Sequence, residues 1–184
     1  KADFNIPGQT IDIEIPESNT YRIPAESYLV IKGRLVRGDN DNPHAAAANI
    51  ALINNAVMYM FSYIEYRLGD IVMEKLNNPG HTTSVLGYLS YPDDFNSSSG
   101  LKQCWSKDTS SHADTNKFQA TVAAPAANYR PTVNDNYNKG FHLRKKLLMS
   151  ANPRGTFSFI VPFAHIFGFA EYDKTVNNLR QSLL

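Results

Sequence analysis

Residues 63–76 read YIEYRLGDIVMEKL, and the fold turns on this stretch. Two runs of alternating polar and apolar residues flank Gly69-Asp70. Gly supplies the positive φ that a two-residue hairpin turn demands, and Asp bonds its own backbone in tight turns. Pairing Leu68 with Ile71 places Ile64, Tyr66, Leu68, Ile71 and Met73 on one face. Glu65, Arg67, Val72 and Glu74 then share the other, with Arg67 lying diagonally between the two carboxylates. A ribbon with one apolar and one polar face is the unit of a β-sandwich.

The flanks carry the same signature. Residues 9–15 alternate Ile11, Ile13 and Ile15 with Thr10, Asp12 and Glu14, which predicts a half-buried strand. Residues 27–37, SYLVIKGRLVR, predict a second strand, with Gly33 marking a bulge or a close backbone approach. Residues 38–43 are a loop by composition, and 45–60 a loop or helical turn interrupted by Asn49, Asn54 and Asn55. After the hairpin, Asn77-Asn78-Pro79-Gly80 is a turn. Thr82 or Thr83 is expected to cap a short helix over 84–90 that turns Val85, Leu86 and Leu89 inward. Residues 91–115 form a long polar surface loop holding Trp105, and 123–138 a second. Between them 118–122 predicts a strand. Order returns at 141–149, residues 156–161 predict a strand ended by Pro162, and 163–169 a short helix or turn beneath the sheets. Many short strands, long loops and no strand–helix alternation predict an all-β fold. It is an eight-stranded antiparallel jelly-roll β-sandwich with short helices in the loops.

The chain has 184 residues, with 18 basic and 17 acidic side chains and a net charge of +1. That balance gives no general argument for nucleic acid or an anionic membrane as partner. Cys104 is the single cysteine, which excludes an internal disulfide and a multi-cysteine metal site. No apolar run is long enough to span a bilayer.

Little in the sequence points to chemistry. His44, His81, His112, His142 and His165 are scattered, with no i, i+2 or i, i+4 pair. Asp93-Asp94 are adjacent on a loop and point apart. Cys104 lies eight residues from His112, and an inert thiol is its default reading. Arg144-Lys145-Lys146, near Arg154, is the one basic cluster, a solvated edge or a contact to an acidic neighbour or to packaged nucleic acid, though three charges without interleaved aromatics are not a nucleic-acid signature. No catalytic residue, metal ligand or cofactor is expected, and the chain reads as not an enzyme. Tyr59, Tyr63, Tyr88, Tyr91, Tyr129 and Tyr137 in or beside loops leave open a carbohydrate-binding, lectin-like module.

Three stretches resemble a family. Asn54-Asn55-Ala56 through the hairpin to GHTTSVLGYLS at 80–90 is one. NKGFHLRKKLLM at 138–149 is the second, and GTFSFIVPFAHIFGFAEYDKTV at 155–176 the third. Together they look like the double jelly-roll major capsid proteins of Polinton/Maverick-type (adintovirus-like) elements, and in particular their N-terminal jelly roll. Phe163 stands where that family usually has Leu. The resemblance implies a jelly-roll domain over 1–176, with 177–184 a linker or the start of a following jelly roll. It implies a structural subunit of an icosahedral shell, resident in the virion and assembled in the host cytoplasm or nucleus. Its partners would be itself, as a homotrimeric pseudo-hexameric capsomer, and neighbouring penton or minor capsid proteins. Nucleic acid is not directly indicated. The expected interface residues are Glu65, Arg67, Glu74, Trp105, Tyr129, Arg144, Lys145 and Lys146.

Overall fold

The structure, a computed structural model, describes residues 8–16, 21–45, 48, 50–108, 138–171 and 181–183. The expected strand at 118–122, His112, Tyr129 and Tyr137 lie outside them.

The expected eight-stranded jelly-roll sandwich does not form among the described residues. Among the described residues there are six strands: β1 (Ile13–Ile15), β2 (Tyr28–Arg34), β3 (Tyr63–Leu68), β4 (Ile71–Asn77), β5 (Thr156–Pro162) and β6 (Gln181–Leu183). They make a four-stranded sheet ordered β1-β6-β3-β4 and a two-stranded sheet of β2 and β5. Helices α1 (Ala56–Tyr59), α2 (Pro79–Ser90) and α3 (Lys139–Met149) accompany them, with several 3-10 turns. The all-β, jelly-roll expectation therefore fails on two counts. The sheets are too few-stranded to close a sandwich. Residues 138–149, with an Asn cap and a Leu-rich run, form a full α-helix.

The described residues gather into two compact units. The first comprises Lys1–Val30, Val57–Tyr91 and Ile160–Leu184; the second comprises Ile31–Ala56 and Pro92–Phe159.

In the first unit, β3 and β4 form the expected hairpin. Leu68 pairs with Ile71, and Gly69 takes φ +60° at the turn. The faces, however, are not those the alternation predicts. The register slips between Tyr66 and Arg67, so that Tyr66 pairs with Glu74 while Arg67 pairs with Val72. Met73 is the extra residue of a β-bulge, and a one-residue slip moves the following side chains to opposite faces. Ile64, Tyr66, Glu74 and Leu76 consequently share the inner face, and Ile71, Val72 and Met73 are exposed. Tyr66 is packed by the rings of Phe163, Phe167 and Phe169 at 6.1, 5.9 and 4.8 Å. Those rings come from the expected turn at 163–169, which forms two 3-10 segments, Phe163–His165 and Gly168–Glu171. β6 lies between β1 and β3, pairing Leu183 with Ile13 and with Tyr66. Leu183 is buried in the sheet.

In the second unit, Gly33 makes the expected close approach: a Cβ there would fall within 2.8 Å of the Phe157 ring. Phe157 stacks on Phe159 at 5.2 Å. The core is built from Ile31, Phe95, Trp105, Leu148 and Phe159. Residues 92–108 are thus not a surface loop. They coil as two 3-10 segments, Asp93–Ser97 and Ser99–Gln103, and bury their aromatic residues.

Candidate functional site

Among the described residues, a polar knot lies in the second unit around the segment 104–108. Three asparagines and one arginine build it. Asn54 Oδ1 accepts from the Ser106 N–H at 2.6 Å. Asn55, in the left-handed region at φ 59°, donates its N–H to the Cys104 carbonyl at 2.9 Å. Asn tolerates that conformation because its short amide can bond locally. Asn138 caps α3, its Oδ1 accepting from the Phe141 N–H at 3.0 Å. One turn on, Arg144 points inward. Its Nε donates to the Leu52 carbonyl at 2.7 Å and its Nη2 to Asp108 Oδ1 at 2.7 Å, while Nη1 donates to the Ser106 carbonyl. The planar guanidinium satisfies three acceptors in a fixed fork, which an ammonium cannot do. Gly140 completes the arrangement: a Cβ there would collide with the Ser106 and Lys107 carbonyls.

Cys104 sits inside this knot at φ 61°, with Sγ 3.8 Å from the Ile53 carbonyl. Burial pushes its thiol up to about 11, so at neutral pH it is protonated and a poor nucleophile. Asp93 and Asp94 are exposed, and their carbonyls serve Asn96, Ser97 and Ser98. No group of three His, Cys, Asp or Glu that could hold a metal occurs among the described residues. No helix among them is long and apolar enough to cross a membrane. A cavity of about 360 Å³ in the first unit is lined by Ile15, Arg22, Pro24, Glu26, Tyr28 and Phe163 among others. Arg22 there donates to the Pro16 carbonyl at 3.0 Å.

The residues expected at an interface divide sharply. Trp105 is 1% exposed and Arg144 5%, so both are interior groups of this chain. Glu65 is also buried, held by Arg67 Nε at 2.5 Å and by Lys75 Nζ at 3.2 Å. The Arg67 guanidinium holds its carboxyl below the ordinary value of 4.5, outweighing the burial that pushes it up. Glu74 does not share Arg67, because the bulge has turned it to the other face. Its two oxygens accept from the Gly168 and Phe169 N–H groups at 3.1 and 3.2 Å. Lys145 is half-buried and Lys146 exposed, so the basic run forms no continuous patch with Arg144.

A surface that the sequence reading turned inward lies instead on α2. The helix begins with Asn78 at φ 49° and Pro79 in its first turn, a placement Pro favours because its missing N–H is an orphan there anyway. It packs on its unit through Pro79, Gly80, Thr83 and Gly87, which are buried. Gly80 lies so close to the Tyr59 ring that a Cβ would come within 2.5 Å of it. Small residues inside leave the large ones outside: Val85, Leu86, Tyr88 and Leu89 are 59, 51, 56 and 81% exposed. The signal was present as two glycines and a threonine spaced along one helical face.

Comparison with family models, with curated protein sequences and with solved structures gave no match.

Proposed function

We propose that the chain is a structural subunit that associates with copies of itself, a major capsid protein of a virus or virus-like element. The observation that carries this reading is the outward display of large apolar side chains on α2 and on the Ile71–Met73 segment of β4. Contiguous exposed apolar clusters mark surfaces that meet something other than water, a protein partner among them. The stretches that resemble the capsid family support it in a second way. Asn54, Asn55, Asn138, Gly140 and Arg144 knit backbone to backbone, and Phe163, Phe167 and Phe169 fill a core. These are the duties of a scaffold. Penton or minor capsid proteins are further partners in this reading, and the virion is its location.

Electron microscopy and mass photometry of the purified chain across a concentration series test the proposal. Capsomers or shells that grow in with concentration are expected. A chain that stays monomeric throughout, and is retained on a glycan array, would overturn the capsid reading in favour of the carbohydrate-binding one.

A further inference from the structure

We infer that the outer face of α2 is the seat of a two-fold contact with a second copy of this chain. The inference rests on the self-association proposed above and names its surface.

His81, Val85, Tyr88 and Leu89 follow the i, i+4, i+7, i+8 spacing of a single helical stripe, with Leu86 beside it. All five are exposed. The stripe is not a by-product of a wholly apolar helix. The same twelve residues place Pro79, Gly80, Thr83 and Gly87 against their own unit. The helix therefore uses its smallest side chains for its own fold and its largest for solvent, the reverse of what a helix serving one core would do.

Charge selects the occupant. None of the twelve residues of α2 is Asp, Glu, Lys or Arg. A partner presenting charges to the centre of this face would have to desolvate them with nothing to pair against. The complementary surface is one that is itself uncharged and apolar, and a second α2 supplies it. Two copies related by a two-fold axis make an isologous contact, each giving what it receives. With the helices antiparallel and the axis at Val85, Leu89 of one copy falls opposite His81 of the other, and Val85 meets Val85. The hydroxyls of Thr82, Ser84 and Ser90 supply a polar rim.

The test uses the full chain and two kinds of variant at exposed positions. Leu89→Asp is expected to weaken association about tenfold or more in sedimentation equilibrium, with an unchanged circular dichroism spectrum. Val85→Cys is expected to form a disulfide-linked dimer under mild oxidation faster than Tyr28→Cys, at a position on β2 that is about as open to solvent, 60% against 59%. A wild-type chain that associates, an L89D chain that associates equally well, and no excess of V85C over Y28C would overturn the α2 contact and leave self-assembly standing. A wild-type chain that is monomeric at every concentration would overturn both. An L89D chain with a lost spectrum is replaced by the crosslinking comparison, which requires no change of charge.

Discussion

Arg144 draws together the carbonyls of Leu52 and Ser106 and the carboxylate of Asp108, groups up to 92 positions away in sequence. With 5% of its surface exposed, it cannot exchange these acceptors for water. Replacing it by Met should cost about 2–4 kcal/mol, because the Ser106 carbonyl is left buried and the Leu52 carbonyl half-buried without their donor, while the exposed Asp108 carboxylate turns to water. Replacing it by Lys should recover only part of that loss, since one ammonium cannot span the fork. Urea denaturation of the two variants checks the order: wild type, then Lys, then Met. Equal stabilities would mean that the guanidinium geometry is immaterial. Glu65 makes a prediction with a sign. Its carboxyl is held below the ordinary 4.5, first by Arg67, so the folded state binds its proton less readily than the unfolded state does. The stability it contributes is complete above that ordinary value and is lost as pH falls through its own lower one. The difference in melting temperature between wild type and Glu65→Gln should therefore be largest near neutrality and shrink on acidification. A gap that does not change with pH would mean the ion pairs with Arg67 and Lys75 contribute nothing. None of this was legible beforehand. Arg144 looked like part of a solvated basic run, because sequence neighbours Lys145 and Lys146 say nothing about which way a helix is turned.

At the scale of elements, the hairpin was the most legible feature. Gly69-Asp70 set the turn, and Leu68 does face Ile71. A Cβ on Gly69 would meet nothing within 4 Å, so its role is purely the φ of +60°. Gly69→Val should accordingly cost about 1–2 kcal/mol, the penalty of the left-handed region for a side chain that resists it. Gly69→Asn should cost distinctly less. Thermal melts of the pair separate the two, and equal losses would point to packing rather than backbone conformation. The faces of the ribbon were illegible for a definite reason. A bulge leaves no mark in a period-two pattern, yet it sends Glu74 to the Gly168 and Phe169 N–H groups and Met73 to solvent. Replacing Glu74 by Gln keeps an acceptor at one oxygen only, so it should lower the melting temperature less than Glu74→Ala does. For α2 the existence of a helix was readable from Thr82 to Ser90, but its orientation was not. Hydropathy alone turns the apolar residues inward, whereas Gly80 and Gly87 can approach the unit more closely than Leu can. The helix Lys139–Met149 is hard to read from sequence because Gly140 and three consecutive cations weaken its periodicity, and the Asn138 cap that starts it follows a polar stretch rich in asparagine.

For the molecule as a whole, each unit is stitched from segments far apart in sequence, three for the first and two for the second. Local periodicity cannot reveal such an arrangement. It does register strand-like stretches, and from these a sandwich is a reasonable extrapolation. The pairings of β6 with β1 and β3 and the burial of Trp105 depend on long-range closure instead. Non-local contacts of this kind also make for slow folding. The assembly reading belongs at this scale too, since its signs are a surface with no charge and a set of asparagines used as fasteners. Cys104 finally offers a use that has nothing to do with its own chemistry. It is the one thiol in 184 residues, it is shut away in the second unit, and its pKa near 11 keeps it unreactive. A disulfide reagent added to the native protein can therefore react only when that unit breathes. The labelling rate becomes a clock for its opening, read without any engineered probe, and loosening the knot by Asn54→Ala should make that clock run faster at unchanged pH.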